Sequence, residues 1–189
     1  GADNVALGTG ALTANTTADG NTAVGKDALN DNTDGHSSVA VGAFALDANT
    51  TGDNNTAIGY ASLSGNTTAN NNTAVGNQAL FANTTGSEND AFGYVALASN
   101  TTGGNNCAFG AGALDANTTA SNNSAFGRDA LGANTTGTNN VAVGQNALDA
   151  NTVGSQNTAI GQQALSDCTT ASGMTAVGRN ALGSMIDGT

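Results

Sequence analysis

Few side chains in this sequence are of a type that does chemistry. His36 is the only histidine, which excludes a histidine-based triad or a multi-histidine metal site. It stands at a variable turn position and is read as a solvated surface residue. Asp47, Asp115 and Asp149 share one column of a repeat, but copies without a carboxylate separate them, so no tight cluster of calcium ligands is expected. Asp149 and Asp167, on adjacent copies, are the nearest approach to the carboxylate pair that a glycoside hydrolase uses. There is no aromatic platform for a sugar and no insertion to form a cleft, so the reading adopted is a solvated acidic face. Cys107 and Cys168 lie more than three repeats apart. At about 4.8 Å per layer of hydrogen-bonded strands, that is too far for an intrachain disulfide. They are read as tolerated small residues, with an interchain bridge as the sharper alternative. No catalytic, cofactor-binding or metal-binding residue is assigned, and no cofactor is expected.

These residues are carried by a repeat that runs through the whole chain. Its unit is represented by Asn72 to Glu88, and the glycine after its first apolar pair recurs every 17 residues from Gly8 through Gly76 to Gly178. The leucine four residues further on keeps the same step, from Leu12 through Leu80 to Leu182, and no copy has an insertion or deletion. Such a period without helical patterning predicts a stack in which each unit buries its apolar side against its neighbours. The unit offers only short apolar pairs flanked by Gly and Asn, with no recurrence at three and four residues, so strands and turns are expected rather than helix. The fold class predicted is all-β: a parallel β-solenoid of eleven 17-residue coils occupying residues 1–189 as one repeat domain.

The structural core of the repeat is assigned to Ala74, Val75, Gly76, Ala79 and Leu80 and their equivalents. Neighbouring side chains of a strand point to opposite faces, so the two members of each apolar pair cannot both line one lumen. If the alanines point inward, the Val75 and Leu80 columns point outward, or the reverse holds for one pair. An uncovered apolar ladder of this length exceeds what a soluble monomer usually tolerates. Several chains side by side would bury it, and three around an axis is the natural closed arrangement for a fibre. Asn83, Thr84 and Thr85 form the turn that closes each coil, and stacked copies of it predict an amide ladder. A second rank of Asn, including Asn55, Asn72 and Asn89, precedes the first strand.

Variation concentrates after the glycine, as at Lys26-Asp27, Phe44, Tyr60 and Tyr94, and after the turn, as at Asp19-Gly20, His36-Ser37, Ser87-Glu88 and Thr138-Asn139. These positions are read as the solvent face. Toward the end, Cys168, Met174, Met185, Ile186 and Asp187 replace the usual Asn or Thr, so the solenoid is expected to end or meet another element there.

Composition sets the partners. The net charge is −11 with only three basic residues, Lys26, Arg128 and Arg179, which argues against nucleic acid and anionic membrane surfaces. No apolar run reaches the length of a membrane-spanning helix. With 27 Gly, no Pro, no Trp and 4% aromatics, the core is expected to be thin and made of Ala, Val and Leu. The chain begins Gly1-Ala2-Asp3-Asn4 with the repeat already in phase at Asn4, so it is expected to be a segment of a longer fibre. The Asn-Thr-Thr sequons, as at Asn49, Asn83 and Asn134, arise from the repeat itself and carry little weight.

The Asn-Thr-Ala-Val-Gly segments resemble the Ser/Asn-x-Ala-Ile-Gly repeat in the heads of trimeric autotransporter adhesins of the YadA type. Those heads are left-handed parallel β-rolls with three chains around an axis. The unit with Ala-Leu followed by Asn-Thr-Thr-Gly is closer still to arrays in bacterial and phage tail-fibre-like proteins, many of which end in a chaperone domain of the endosialidase type. The likeness covers Asn4 to about Gly183 and departs from adhesin heads in having a slightly longer period. It implies an extracellular, cell-surface or virion-borne homo-oligomeric rod without catalysis. Open solenoid ends add the expectation of end-to-end filaments. A host-surface or glycan receptor would be met around Phe44, Tyr60, Tyr94 and Arg128. Two rivals are kept: a monomeric ice- or surface-binding solenoid using Thr50-Thr51 and Thr84-Thr85, and a carbohydrate-active tailspike using Asp149 and Asp167.

Overall fold

A computed structural model describes residues 1–185; Ile186 and Asp187 lie outside the described residues. The strands are β1 (Val5–Leu7), β2 (Thr22–Val24), β3 (Val39–Val41), β4 (Thr56–Ile58), β5 (Thr73–Val75), β6 (Asp90–Phe92), β7 (Cys107–Phe109), β8 (Ser124–Phe126), β9 (Val141–Val143), β10 (Thr158–Ile160) and β11 (Thr175–Val177). They form one parallel sheet in sequence order, each strand paired with the next one turn of 17 residues later and in register, as Ala57 with Ala74 and Ala74 with Ala91. The protein is therefore a parallel β-solenoid. Columns are named below after their member between Asn72 and Glu88, and each coil takes the number of its strand.

Each strand is only three residues long because a glycine corner follows it. Gly76 has φ of +138°, and a Cβ there would sit well inside van der Waals contact with the carbonyl oxygen of Gly93 in the next coil. No L side chain fits that conformation and that spacing together. The chain then makes a turn closed by the Ala79 N–H on the Gly76 carbonyl at 3.4 Å, with Gln78 in the left-handed region at the third position, where type II turns need one.

The second apolar pair departs from the strand rule. Ala79 and Leu80 are both fully buried. Leu80 has φ of 51°, and the eleven leucines of its column span only 49° to 54°. A left-handed residue rotates the next side chain out of β alternation, so both members point inward. The expectation that the leucines face outward whenever the alanines face inward is corrected by this backbone. It costs conformational energy at each leucine, on the order of 1 kcal/mol, which burying the side chain, worth about 2 kcal/mol, offsets.

The core is also not the Ala, Val and Leu core expected. The Val75 column faces outward, and its place inside is taken by asparagine: Asn72 and Asn83 are buried with nearly all of their equivalents. Burying an amide is costly unless it is hydrogen-bonded, and both ranks are bonded along the stack, with Asn72 Nδ2 and Asn151 Oδ1 left without partners. Asn83 Nδ2 donates to Asn66 Oδ1 at 3.0 Å and to the Gly86 carbonyl at 2.9 Å. Asn72 Oδ1 accepts the Asn89 N–H of the next coil at 2.9 Å. In the following coil, Asn89 Nδ2 and Asn100 Nδ2 both reach the Gly103 carbonyl at 2.9 Å, tying the start of the coil to its closing turn. Ser38 stands in for one Asn and keeps the chain unbroken, its hydroxyl oxygen accepting the Asn55 N–H at 3.1 Å.

Candidate functional site: the outward face of the sheet

With Ala74 inward, Thr73 and Val75 point outward, so the sheet presents two columns along its whole length. The Val75 column is apolar in every coil, running Leu7, Val24, Val41, Ile58, Val75, Phe92, Phe109, Phe126, Val143, Ile160 and Val177. Members from coils 4 to 10 are half-exposed, with Ile58 at 40% and Phe109 at 37%, while Leu7 and Val177 at the ends reach 66% and 67%. Stacking along the axis covers part of each side chain, and nothing among the described residues covers the rest.

Three phenylalanines occupy consecutive rungs. Phe92 and Phe109 stack at 4.4 Å between ring centroids and Phe109 and Phe126 at 5.2 Å, both with an interplanar angle of 11°. Cys107 lies on the same face, a half-buried free thiol. Burial pushes it up from its ordinary range, and the Asp90 carboxylate adds to the shift. Cys168 instead fills the Asn83 column in the interior.

Around the glycine corner, Lys26, Phe44 and Tyr60 form a small cluster, with Lys26 Nζ 4.7 Å from the Phe44 ring centre and the Phe44 and Tyr60 rings edge to face at 5.9 Å. Tyr94 is 61% exposed, and Arg128 pairs with its neighbour Asp129 at 2.9 Å. Lys26, Tyr60, Tyr94 and Arg128 are exposed, whereas Phe44 is half-buried and left-handed with φ of 59°. The Gln78 column to which Phe44 belongs is thus a turn position and not simply a solvent-facing one.

The variable residues after the closing turn carry a constant task that their changing identities conceal. His36 Nδ1 accepts the Asp19 N–H at 2.9 Å, Asp53 Oδ1 accepts the His36 N–H at 2.7 Å, and Ser87 Oγ accepts the Asn70 N–H at 3.0 Å. Nearly every member of this column bears an acceptor, and each bond joins one coil to the next. His36 is part of this ladder while its side chain stays 42% exposed, with Nε2 3.8 Å from the Asp34 carboxylate, so a surface residue also carries a coil-to-coil bond. The signal was available in the residue types: Asp19, His36, Asp53, Asn70, Ser87, Ser121, Thr138, Ser155 and Ser172 all accept hydrogen bonds.

The carboxylates do not assemble into a site. Asp47, Asp115 and Asp149 are half-buried, and burial raises all three above the ordinary aspartate range. A second carboxylate adds to each shift, Asp31 beside Asp47, Asp129 beside Asp115 and Asp167 beside Asp149. Asn146 Nδ2 donates to Asp149 Oδ2 at 2.9 Å. Among the described residues, no three His, Cys, Asp or Glu side chains group closely enough to hold a metal ion, and no helix is long and apolar enough to cross a membrane.

Thr84 and Thr85 fall on different sides of the surface. Thr84 is half-buried and its hydroxyl donates to the Thr101 carbonyl at 2.9 Å, whereas Thr85 is exposed. The Asn49, Asn83 and Asn134 amides of the sequons are fully buried, each donating to two partners, so they are not available to a glycan in the folded chain.

Comparison with family models, with curated proteins and with solved structures returned no match. The outward face has to be interpreted from its own chemistry.

Proposed function

We propose that the chain is a non-catalytic structural module of an extracellular fibre, on a cell surface, a virion or a self-assembling filament, giving a stiff rod that displays its variable side chains. Copies associate side by side through the Val75 column, and the resemblance to adhesin heads and tail-fibre arrays sets their number at three. The observation that carries this reading is the unbroken, half-exposed apolar ladder on a sheet face with no charge but Asp90. A surface that sheds charge while the chain as a whole carries −11 is suited to meeting another apolar surface. Lys26, Phe44, Tyr60, Tyr94 and Arg128 lie beside it and are the positions offered to a host surface or glycan.

The test is to place a charge in the ladder. Val75→Glu leaves the lumen untouched, because Val75 faces outward, and is expected to convert the assembly to monomers in sedimentation velocity while circular dichroism stays unchanged. An unaltered sedimentation coefficient would refute association through this face.

A second reading rests on the exposed threonine rank, Thr51, Thr68, Thr85, Thr102, Thr119 and Thr136, which repeats once per coil. That spacing suits an ice- or surface-binding solenoid acting as a monomer. Thermal hysteresis that disappears on Thr85→Val and Thr102→Val would favour it over the fibre.

A further inference from the structure

A stack of equal coils poses a problem for side-by-side assembly. Identical rungs pair equally well at any offset of one coil, about 4.8 Å, so copies could slip along one another. The outward face contains a departure from uniformity that removes this degeneracy.

In eight of the eleven coils the Thr73 column holds Val or Thr and the Val75 column holds an aliphatic residue. In coils 6, 7 and 8 both columns change together: Phe92, Phe109 and Phe126 appear where the neighbours have Val or Ile, and Asp90, Cys107 and Ser124 appear where they have Val or Thr. A large side chain is thus paired with one that lacks β-branching in the same three rows and nowhere else. The three phenyl rings line up along the axis, stacked on one another at 4.4 and 5.2 Å, and Asp90 beside Phe92 remains exposed.

We propose that this block is an axial register key between copies of the chain. The occupant of the face is a second copy lying parallel, row against row, so that the three aromatic rows of one copy meet those of the other. Parallel alignment covers all eleven rows. An antiparallel copy with matched blocks would set row n against row 14 − n, leaving coils 1 and 2 facing nothing. Slippage by one coil would drive Phe126 against the row of Val141 and Val143, while an aliphatic row would face a phenylalanine row at the other end of the block. Close-packed surfaces resist both the crowding and the voids this creates. Charge agrees with the assignment, since of the 14 acidic residues Asp90 alone stands on these two columns.

This inference rests on the side-by-side reading, and the experiment separates the two. In a shifted-block variant the aromatic rows move to coils 3, 4 and 5, through Val41→Phe, Ile58→Phe and Val75→Phe with Val39→Ser, Thr56→Ser and Thr73→Ser. The original rows are reverted by Phe92→Val, Phe109→Val and Phe126→Val with Asp90→Thr, Cys107→Thr and Ser124→Thr. Parent and variant chains carrying different mass tags are refolded separately and together, and native mass spectrometry counts mixed oligomers. A doubly tagged parent mixture sets the statistical level. The key predicts that each chain forms oligomers alone and that mixed species fall at least several-fold below that level. Statistical mixing, or failure of the variant to associate alone, overturns the key and leaves side-by-side assembly standing. A parent that is monomeric alone overturns both.

Discussion

Asn151 Nδ2 donates to Asn134 Oδ1 at 2.9 Å, continuing the amide ladder, but its own Oδ1 is buried with no hydrogen-bond partner. The next coil places Cys168 where an asparagine would supply the donor. A buried acceptor left unsatisfied costs roughly 1 kcal/mol or more. Cys168→Asn is therefore expected to raise stability by about 1 kcal/mol, measured as the shift in the midpoint of chemical denaturation. A lower midpoint would contradict the account of the ladder.

The glycine corner and the closing turn respond differently to a methyl group. Gly76→Ala meets both a φ of +138° and the Gly93 carbonyl, and is expected to cost about 3 kcal/mol or more. Gly86 has an ordinary φ, and its column already holds Ala69 and Ala120. A Cβ at Gly86 would still press on the Gly103 carbonyl oxygen, so Gly86→Ala is expected to cost about 1–2 kcal/mol, less than Gly76→Ala because only the contact, and not a positive φ, opposes it. Equal losses in thermal unfolding would mean that the column, and not the backbone conformation, decides.

Val95 is a β-branched residue at φ of 50°, a conformation such side chains rarely adopt. Its column holds Asn146 and Asn180 with φ of 56° at both. Val95→Asn is expected to stabilise the fold by roughly 1 kcal/mol through relief of that strain, read as a higher unfolding temperature.

Burial raises Asp47, Asp115 and Asp149 above the ordinary aspartate range, so the folded chain binds protons more tightly there than the unfolded chain. Stability from these groups is fully present below the unfolded value of about 3.9 and is lost as pH rises through their folded values. The melting temperature is expected to rise as pH falls from neutral toward the unfolded aspartate value, and less steeply in Asp47→Asn/Asp115→Asn/Asp149→Asn. A parent that melts lower near that value than at neutral pH would show that other groups dominate.

Much of the architecture was legible in the sequence because one period governs it. The glycine from Gly8 to Gly178 marks every corner, and the invariant alanine before it marks the inward face of every strand. The second pair was misread because alternation holds only for extended backbone, and no residue type at Leu80 advertises a left-handed conformation. Leucine is a poor fit there, and burial in the lumen is what holds it. The asparagine columns suggested ladders, but their place in the core follows from which carbonyls they reach, as with Asn89 and Asn100 on Gly103. The His36 column varies in identity, though almost never in having an acceptor, and that variation hid its part in the coil-to-coil ladder. The coupled change at Asp90, Cys107 and Ser124 opposite the phenylalanines becomes apparent only once strand alternation puts the two columns on one face.

The central claim is that the outward ladder is covered by other copies of the chain. Static light scattering of the intact chain in dilute solution tests it most directly. Side-by-side assembly predicts a mass three times the chain mass of 18.1 kDa that persists on dilution. A single species at 18.1 kDa would contradict it, leaving the Val75 column bare in solution.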